Sequence, residues 1–484
     1  MTTASSGLFS TLFDHGDAGV GDQAWLQAML DVEAGLARAL ERAGLAPPGA
    51  GAAVTEAARA ELFDVALLGS RAAAAGNPVP ALVKELTGRV PEFAASAIHR
   101  GATSQDIMDS AAVLIARRVL NKVRTHMTAS ADAAAALAAS HRDTIMAGRT
   151  LLQQAVPVTF GLIAAGWLTA LDDASTELER VCSQRLAVQL GGAAGTLSVF
   201  GRSGPEVVAL LADELSLPVP VLPWHTDRLR IVQLAAAMAG VCAVTGKIAR
   251  DVTLLGQTEV AEVSEGPGTG RRRDDSDACH TARGGSSAMP HKRNPVAAVL
   301  VLGCARRAPM LVATLTAAAE HDLQRAAGSW HAEWEPFADL LRITSSAAAW
   351  TADLLAGLEV NASRMQANLA AAHELPMAEQ VAAVLTPTLG RLPALDLIAR
   401  ASREAAASGQ DLSAILISSP DFAAPLAAAG IGAAELTAAV DPARSLGAAD
   451  AFISAALRAH RSSCESHRTE EDHDRKSERR KEDA

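Results

Sequence analysis

Proline-free stretches divide this chain into segments long enough for extended helices. No proline occurs in residues 92–156, 158–204 or 226–265, and a proline inside a helix interrupts its backbone hydrogen bonds. In the third stretch, apolar side chains recur every three or four residues with charged ones between them, as on a helix with one buried face. These apolar positions are Val241, Val244, Ile248, Val252 and Leu255. The pattern predicts a helix of about forty residues, about 60 Å long.

Helices of this length are typical of a bundle, and no segment alternates strictly enough to indicate a buried strand. The predicted fold class is therefore all-α. Prolines cluster on both sides of the long segments, which predicts an N-terminal helical domain (1–100), a central long-helix bundle (101–360) and a C-terminal helical domain (361–460). Residues 461–484 are nearly all polar, which favours a disordered tail, with a charged exposed helix as the alternative.

Composition indicates an ordinary soluble protein, with 49% hydrophobic and 20% charged residues. The net charge of −11 disfavours general affinity for nucleic acid or an anionic membrane, so an anionic ligand needs a local basic site. Five scattered cysteines without a CxxC pair fit reduced thiols in the cytosol, and the N-terminus has no secretory signal. The most apolar stretch, 296–319, contains two arginines and a proline, which favours a bundle helix over a membrane span.

A local basic site is present in residues 285–295, which read GSSAMPHKRNP. Asn294 followed by Pro295 is typical of a helix N-cap with proline at the first helical position, so a helix is predicted to start at Pro295. Its N-terminal N–H groups, together with Lys292 and Arg293, would bind a carboxylate. A capped helix after a solvated loop explains any one of these residues alone, but not all of them together.

The same run resembles the GSSxMPxKxNP loop of the superfamily that contains fumarase, aspartase, argininosuccinate lyase and adenylosuccinate lyase. The resemblance implies that Ser286 is the acid or base that moves the proton next to a carboxylate. It implies that Lys292 and Asn294 hold that carboxylate, helped by the backbone around Ser287 and Met289. It further implies a homotetramer with active sites shared between subunits, and a reaction that needs no metal and no organic cofactor.

Residues 99–106 place hydroxyl, amide and acid groups ahead of an apolar helical series. Taken alone, Ser104 or Asp106 is best explained as a helix N-cap. The stretch is also similar to the superfamily's GxTSxD motif, and this similarity implies that Thr103, Ser104 and Gln105 hydrogen-bond a substrate carboxylate. Capping and binding are compatible, because the same helix end favours an anion.

Residues 148–157 read GRTLLQQAVP, where fumarases and adenylosuccinate lyases have GRTHxQxAxP. By this resemblance Arg149, Thr150 and Gln153 bind substrate, but Leu151 stands where the superfamily has its histidine. The chain thus lacks a general acid for a poor leaving group such as an amine. A departing carboxylate, with a pKa of about 4, needs no such acid.

The chain most resembles the bacterial 3-carboxy-cis,cis-muconate cycloisomerases, which also lack this histidine and share further segments between about residues 75 and 335. The resemblance implies interconversion of a tricarboxylate, 3-carboxy-cis,cis-muconate, with 4-carboxymuconolactone in protocatechuate catabolism, through an enediolate. One alternative is adenylosuccinate lyase or a related lyase that releases fumarate. Another is a non-catalytic structural member of the superfamily.

Each of three remaining features of the sequence has two possible explanations. His225 and His331 lie beside tryptophans and are either ligand contacts or structural groups. Arg325 stands where the family has a basic residue near its site, and an interhelical ion pair is the rival explanation. The segment 266–283 is longer than the family's connector; its acids, thiol and imidazole match no standard metal spacing, so a flexible lid extension is favoured.

Overall fold

The computed structural model describes residues 10–266, 284–285, 289 and 291–482, with backbone only from residue 466 onward. Most of these residues are helical. The helices of the first half of the chain are α1 (Asp22–Arg42), α2 (Ala50–Ala57), α3 (Val65–Ala75), α4 (Val79–Thr87), α5 (Glu92–Ala95), α6 (Ser104–Ser140), α7 (Phe160–Arg185), α8 (Gly204–Glu214) and α9 (Leu229–Leu255). Those of the second half are α10 (Val296–Ala317), α11 (Ser329–Ala356), α12 (Ala362–Ala370), α13 (Ala378–Leu389), α14 (Arg391–Ser408), α15 (Leu412–Ser418), α16 (Pro420–Ala428), α17 (Ala433–Ala439) and α18 (Ala449–Glu482). The all-α prediction is confirmed.

In the part of the chain that the structure describes, four short strands accompany the helices, and the sequence pattern did not reveal them. They are β1 (Ile145–Thr150), β2 (Gln153–Thr159), β3 (Val263–Glu265) and β4 (Leu358–Val360). β1 and β2 form an antiparallel hairpin with a bulge between Ala147 and Arg149, and β3 pairs antiparallel with β4. The bulge disrupts the period of two on which strand recognition depends, and three-residue strands are too short to show any period.

Two further expectations about helices are corrected. Helix α9 has 27 residues and not about forty, because the chain turns where the N–H groups of Val260 and Ala261 both donate to the Gln257 carbonyl. Helix α10 begins at Val296, one residue after the predicted start. The polar stretch from Arg461 continues α18 to Glu482, which corresponds to the helical alternative for this segment.

The chain divides into two compact units. Unit 1 comprises Met1–Thr128, Asp173–Ala249 and Ala298–Thr351, and unit 2 comprises Ala129–Asp172, Arg250–Ala297 and Ala352–Ala484. These units do not test the three predicted domain boundaries, which stay a prediction.

Unit 1 has a core of fully buried aliphatic side chains from α1 and α6. They are Leu30, Leu36, Leu40, Ile107, Leu114, Ile115 and Leu120. Each such side chain contributes about 1.5–3 kcal/mol through removal from water. In α9, Gly246 allows close packing, because a Cβ there would lie 2.6 Å from the Cβ of Ala305.

Unit 2 contains a separate apolar cluster formed by helices α13 to α17. Its most deeply buried members are Val381, Leu385, Ala394, Ala401, Ala405, Leu412 and Leu416. Phe160 and Trp167 of α7 are also fully buried in this unit and pack edge to face, with ring centroids 5.7 Å apart.

By length and composition, α9 and α10 could each span a membrane. Within the single chain, 56% of the most apolar window of α9 is buried, but only 28% of that of α10. Val299 and Met310 of α10 are more than half exposed, and Ala236, Gly240 and Ala243 expose a face of small residues on α9. Among the described residues, these two faces are exposed, and exposed apolar surface of this kind is typical of contact sites.

Candidate active site

The N-terminus of α6 is organised by the buried carboxylate of Asp106. Asp106 Oδ2 accepts from the Thr103 N–H at 3.0 Å, which is the backward half of a capping box. The same carboxylate accepts from the N–H groups of Gly191 and Gly192 and from Gln189 Nε2. Burial raises the pKa of Asp106 to about 6, although these donors and Arg325 act to lower it. Asp106 thus fixes the loop that starts at Gln189 against the start of α6.

The amide of Gln105 is occupied by protein groups. Its Nε2 donates to the His225 carbonyl at 2.7 Å and to Asp109 Oδ2 at 3.1 Å, while its Oε1 accepts from Arg325 Nη1 at 2.8 Å. Arg325 also donates to the carbonyls of Gly192 and Ala193. The guanidinium of Arg325 is thereby held in one position, partly exposed beside the helix end that carries Thr103 and Ser104.

His225 has a buried ring nitrogen that forms no hydrogen bond with any described residue. Its side chain is nearly buried, and Nδ1 has no hydrogen-bond partner among them. Burial lowers the pKa of His225, and the charge of Arg325 lowers it further, so the ring is neutral near pH 7. Gly195 has a positive φ and a Cβ there would lie 2.7 Å from the ring, so glycine is required beside it. His331, by contrast, lies with Nε2 3.1 Å from the Gly76 carbonyl.

A buried ion triad, which the sequence reasoning missed, supports these groups. The guanidinium of Arg228 donates to both oxygens of Asp109, at 2.7 and 3.1 Å, and to Glu333 Oε1 at 3.0 Å. Trp330 Nε1 also donates to Asp109, and His321 Nε2 lies 3.2 Å from Glu333. Burial alone would lower the pKa of Arg228, but Asp109 and Glu333 outweigh it and raise the pKa. The triad connects α6 and α11 to the residue that precedes α9, and Asp109 links it through Gln105 to Arg325.

A second buried carboxylate fixes the residue before the Gly101 turn. Glu33 is fully buried, accepts from the His99 N–H at 2.9 Å, and lies 2.7 Å from His99 Nδ1. Burial disfavours the imidazolium, but the hydrogen bond and charge of Glu33 outweigh it and raise the pKa of His99 above its ordinary value of 6.5. This pair holds His99 at φ +53°, two residues before Gly101. A Cβ on residue 101 would clash with the ring of Phe200.

The substitution His99→Gln is expected to remove a pH-dependent part of the stability. Because folding raises the pKa of His99, the stabilisation is complete below pH 6.5 and is lost as the pH rises through the folded-state pKa. Urea midpoints of the wild type and the variant, measured from about pH 6 to about pH 9 at one protein concentration, should therefore converge as pH rises. Midpoints that stay a constant distance apart would contradict this assignment.

In unit 2, the β1–β2 hairpin carries the second group of predicted site residues. Both terminal nitrogens of Arg149 donate to the fully buried carboxylate of Glu262, each at 2.8 Å. Asn368 Nδ2 donates to the same carboxylate at 2.8 Å. Arg149 is thus engaged with Glu262, which the sequence reasoning missed. Leu151 and Leu152 form the two-residue turn, both at positive φ.

The loop before α10 is closed at its base by Asn294. The Asn294 N–H and its Nδ2 donate to the Gly284 carbonyl, at 2.8 and 3.1 Å, and Gly285 forms an isolated bridge with Arg293. Gly284 has φ +84°, and a Cβ there would lie 2.2 Å from the backbone carbonyl oxygen of Asn294. Lys292 is exposed beside this base. Ser286 and Ser287 lie outside the described residues.

The N-terminus of α10 already holds a carboxylate of the protein. Glu265 Oε2 accepts from the Ala297 N–H at 3.2 Å. This contact satisfies one of the donors that the sequence pattern assigned to a ligand, and a negative side chain there offsets the positive end of the helix dipole. The predicted anion binding at this loop therefore depends less on the helix end and more on the cations Lys292 and Arg293 than the sequence pattern suggested.

The predicted site residues fall into three groups. Unit 1 brings together the residues of the α6 start and its neighbours, namely Thr103, Ser104, Gln105, His225 and Arg325. Unit 2 contains those of the hairpin and the closed loop, namely Arg149, Thr150, Gln153, Met289, Lys292 and Asn294. Ser286, Ser287 and the insertion from 267 to 283 are outside the described residues, and the assignment of every site residue remains a prediction.

The helical fold and the three motif regions define a class of enzyme. The sequence model of the family described as lyase matches residues 17–309. The chain therefore belongs to the lyase family, and the superfamily resemblance seen in the motifs is confirmed.

Individual relatives cover nearly the whole chain. A 3-carboxy-cis,cis-muconate cycloisomerase from Bradyrhizobium diazoefficiens is 43% identical over 438 residues, covering 90% of this chain and 94% of that protein. A nitrosuccinate lyase from Streptomyces davaonensis is 42% identical over 452 residues, covering 91% of this chain and 92% of that one. The crystal structure of the 3-carboxy-cis,cis-muconate lactonizing enzyme from Pseudomonas putida matches with a TM-score of 0.84 at 38% identity, covering 94% and 99% of the two chains.

Proposed function

We propose that this protein is a cycloisomerase that interconverts 3-carboxy-cis,cis-muconate and 4-carboxymuconolactone. The observation that carries this proposal is the 43% identity to a curated 3-carboxy-cis,cis-muconate cycloisomerase across 90% of the chain. The local chemistry agrees, because Leu151 replaces the superfamily histidine and a departing carboxylate needs no general acid.

The reaction is an isomerisation in which no atom is gained or lost. In the lactone-forming direction, one substrate carboxylate adds to the conjugated double bond, and the electron pair of that bond moves toward a second carboxylate as an enediolate. Lys292, Asn294 and the N–H groups near Ser287 and Met289 stabilise the enediolate, and Ser286 gives a proton to the adjacent carbon. In reverse, Ser286 removes that proton and the lactone carboxylate departs. Thr103, Ser104, His225 and Arg325 bind the other carboxylates.

Ser286 needs strong electrostatic assistance to act as a base. A helix end contributes at most about 2 kcal/mol, or about one and a half pKa units. At α10 this contribution is already offset by the carboxylate of Glu265. Lys292 and Arg293, in a loop that closes and excludes water, must therefore supply most of the shift toward an alkoxide.

The direct test is the ultraviolet absorbance of the conjugated muconate on addition of purified protein. Loss of that absorbance, with no turnover of adenylosuccinate in a parallel assay, is the expected result. An unchanged muconate spectrum together with cleavage of adenylosuccinate would replace the proposal by its lyase alternative. An unchanged result with every substrate would favour a non-catalytic structural member.

A second candidate function is elimination of nitrite from nitrosuccinate to give fumarate. The 42% identity to a nitrosuccinate lyase over 91% of the chain favours it specifically. Nitrite, like a carboxylate, is the anion of a weak acid that is ionised at neutral pH, so it leaves without a proton and Leu151 is as compatible with this reaction as with the first. Ser286 would again remove the proton next to a carboxylate held by Lys292 and Asn294.

The two candidates are separated by assaying both substrates with one enzyme preparation. For the cycloisomerase, kcat/KM on the muconate should exceed that on nitrosuccinate by several orders of magnitude, with no nitrite release above the uncatalysed rate. Release of nitrite and fumarate in equal amounts, with no change in muconate absorbance, would support the second candidate instead.

We further infer a homotetramer with active sites shared between subunits. The exposed apolar faces of α9 and α10 are suited to subunit packing, and burial of both would remove them from water. Leu151 and Leu152 are 96% and 68% exposed at the tip of the hairpin, and positive φ at two leucines is costly unless the surroundings require it. Insertion of the hairpin tip into a neighbouring subunit would provide surroundings that require this backbone conformation. The cytosol is the proposed location, from the cysteine pattern.

Shared sites predict complementation between two inactive variants. Ser286→Ala is combined with the double variant Thr103→Val/Ser104→Ala, and the mixture is unfolded and refolded. If the two regions come from different subunits, about a quarter of the sites are intact in a random equal mixture, because each region is unmutated half the time. Turnover should recover to about that fraction of wild type. Each variant refolded alone is the control, and no recovery in a mixed oligomer, or an active monomer in light scattering, would contradict shared sites.

A further inference from the structure

Unit 2 contains a cluster of metal-ligating side chains that the proposed reaction does not use. Asp132 lies on α6, and His460 and Cys464 lie one turn apart on α18, so both project from the same side of that helix. His460 Nε2 is 3.1 Å from Asp132 Oδ1 and 3.8 Å from Cys464 Sγ. The three ligand atoms all lie within 4.8 Å of one another.

The other ring nitrogen of His460 is held by a second carboxylate. His460 Nδ1 lies 3.1 Å from both oxygens of Asp172 on α7. If the one N–H of a neutral imidazole is on Nδ1, Asp172 accepts it and the lone pair of Nε2 faces Asp132 and Cys464. A carboxylate on the far nitrogen is the arrangement that orients metal-binding histidines. With that tautomer, Nε2 and Asp132 Oδ1 are two acceptors 3.1 Å apart, and a metal ion between them, with Cys464 as a thiolate, would satisfy both.

The spacing fits a metal ion. Zinc bonds of about 2.0–2.1 Å to nitrogen and about 2.3 Å to sulfur, at a tetrahedral angle, separate nitrogen from sulfur by about 3.5 Å and nitrogen from oxygen by about 3.3 Å. The observed separations, 3.8 and 3.1 Å, lie within a few tenths of an ångström of those values. Without a metal, the same three residues are joined by hydrogen bonds from the histidine N–H and the thiol S–H, and the metal titration below separates the two arrangements.

The geometry points to a zinc-type site formed by Asp132, His460 and Cys464, with Asp172 as the residue that positions the histidine. Mixed oxygen, nitrogen and sulfur ligands suit Zn²⁺ among the common divalent ions. His460 is buried, whereas the carboxylate of Asp132 is 63% exposed, which leaves an open side for entry of the ion and for a water as fourth ligand. The ion would fasten α18 to the adjacent segments of α6 and α7, a structural role independent of the proposed catalysis.

Cobalt and zinc binding by the full-length protein test this site. The protein is stripped with a chelator and titrated with Co²⁺, whose bond to a thiolate gives a near-ultraviolet charge-transfer band, and Zn²⁺ is then added in competition. One equivalent of Co²⁺ with the thiolate band, displaced by one equivalent of Zn²⁺, is the expected result. Stripped protein that takes up neither ion would overturn the proposal and leave His460 hydrogen-bonded between two carboxylates.

Matched variants locate the ligands. Cys464→Ser should abolish the band, whereas Cys182→Ser, at a thiol that is also half-buried, and Cys279→Ser should retain it. A band that persists in Cys464→Ser, or disappears with Cys279→Ser, would refute the assignment. Asp132→Asn, at an exposed position, should weaken Zn²⁺ binding without affecting the fold, as circular dichroism of the stripped proteins can verify.

Asp172→Asn tests the positioning role. It should weaken Zn²⁺ binding about 10- to 100-fold while the cobalt–thiolate band is still reached at higher metal concentration. Zn²⁺ should also raise the Tm of the wild type and not that of Cys464→Ser, since only a protein that binds the ion in its folded state is stabilised. Unchanged affinity in Asp172→Asn would refute the positioning role.

Discussion

Ser286→Ala is expected to lower kcat by about 100- to 10,000-fold, with KM changed only a few-fold. An alanine can neither remove nor return the proton next to the carboxylate, while Lys292 and Asn294 still bind that carboxylate in the ground state. The loss should therefore fall on the chemical step and not on substrate binding. Initial rates from muconate absorbance over a range of substrate concentrations measure both constants.

The matched control is Ser264→Ala, which removes a surface hydroxyl of the same unit that donates to Glu359 at 3.0 Å. It should leave both constants within a factor of two or so, because exposed polar contacts contribute little. Full turnover by a correctly folded Ser286→Ala protein would exclude Ser286 as the proton-transfer residue. The remaining proton donors of unit 2 would then need examination.

Arg228→Met is expected to destabilise the protein by about 3–5 kcal/mol, the largest effect on stability predicted for a single side chain. Methionine nearly preserves the apolar stem but leaves Asp109 and Glu333 as two buried carboxylates without their shared cation. Uncompensated buried charge is strongly unfavourable. Urea unfolding at a fixed subunit concentration measures the change.

Activity should fall as well, through a raised KM. Asp109 also binds the amide of Gln105, and Gln105 fixes Arg325, so displacement of Asp109 moves a predicted carboxylate-binding group. The control is Arg118→Met, which breaks an ion pair between an exposed arginine and the partly exposed Asp31. That variant should lose no more than about 1 kcal/mol. Equal losses in the two variants would show that the Arg228 triad has no special role.

The elements could be predicted from the sequence wherever local signals were long and repeated. Proline-free apolar periodicity identified the long helices, and Asn294-Pro295 placed the start of α10 within one residue. The end of α9 was missed, since hydrogen bonds to the Gln257 carbonyl turn the chain there while the composition stays compatible with helix. The β1–β2 hairpin was missed because its bulge removes strict alternation and its turn consists of two leucines.

The candidate site was predictable only as far as motifs extend. Thr103, Leu151 and the loop of Lys292 and Asn294 stand in short runs that specify a reaction class. The groups that hold these site residues in place have no signal in the sequence. Arg228, for example, is separated by 119 residues from Asp109 and by 105 from Glu333. The contacts of Glu265 with the start of α10 and of Glu262 with Arg149 could not be predicted either, because a single glutamate is ordinary in any sequence.

The sequence by itself determined the helical class and pointed to residues 285–295 as the predicted carboxylate-binding loop, because helix propensity, proline placement and motif spacing are local properties of the chain. Only the tertiary structure decided which charges are paired and buried, and which ring nitrogens are engaged. His460 and Asp132 are 328 residues apart, and their contact depends on the packing of distant helices. The pKa of a buried group and the ligands of a metal are set by such neighbours, so no local pattern could have revealed them.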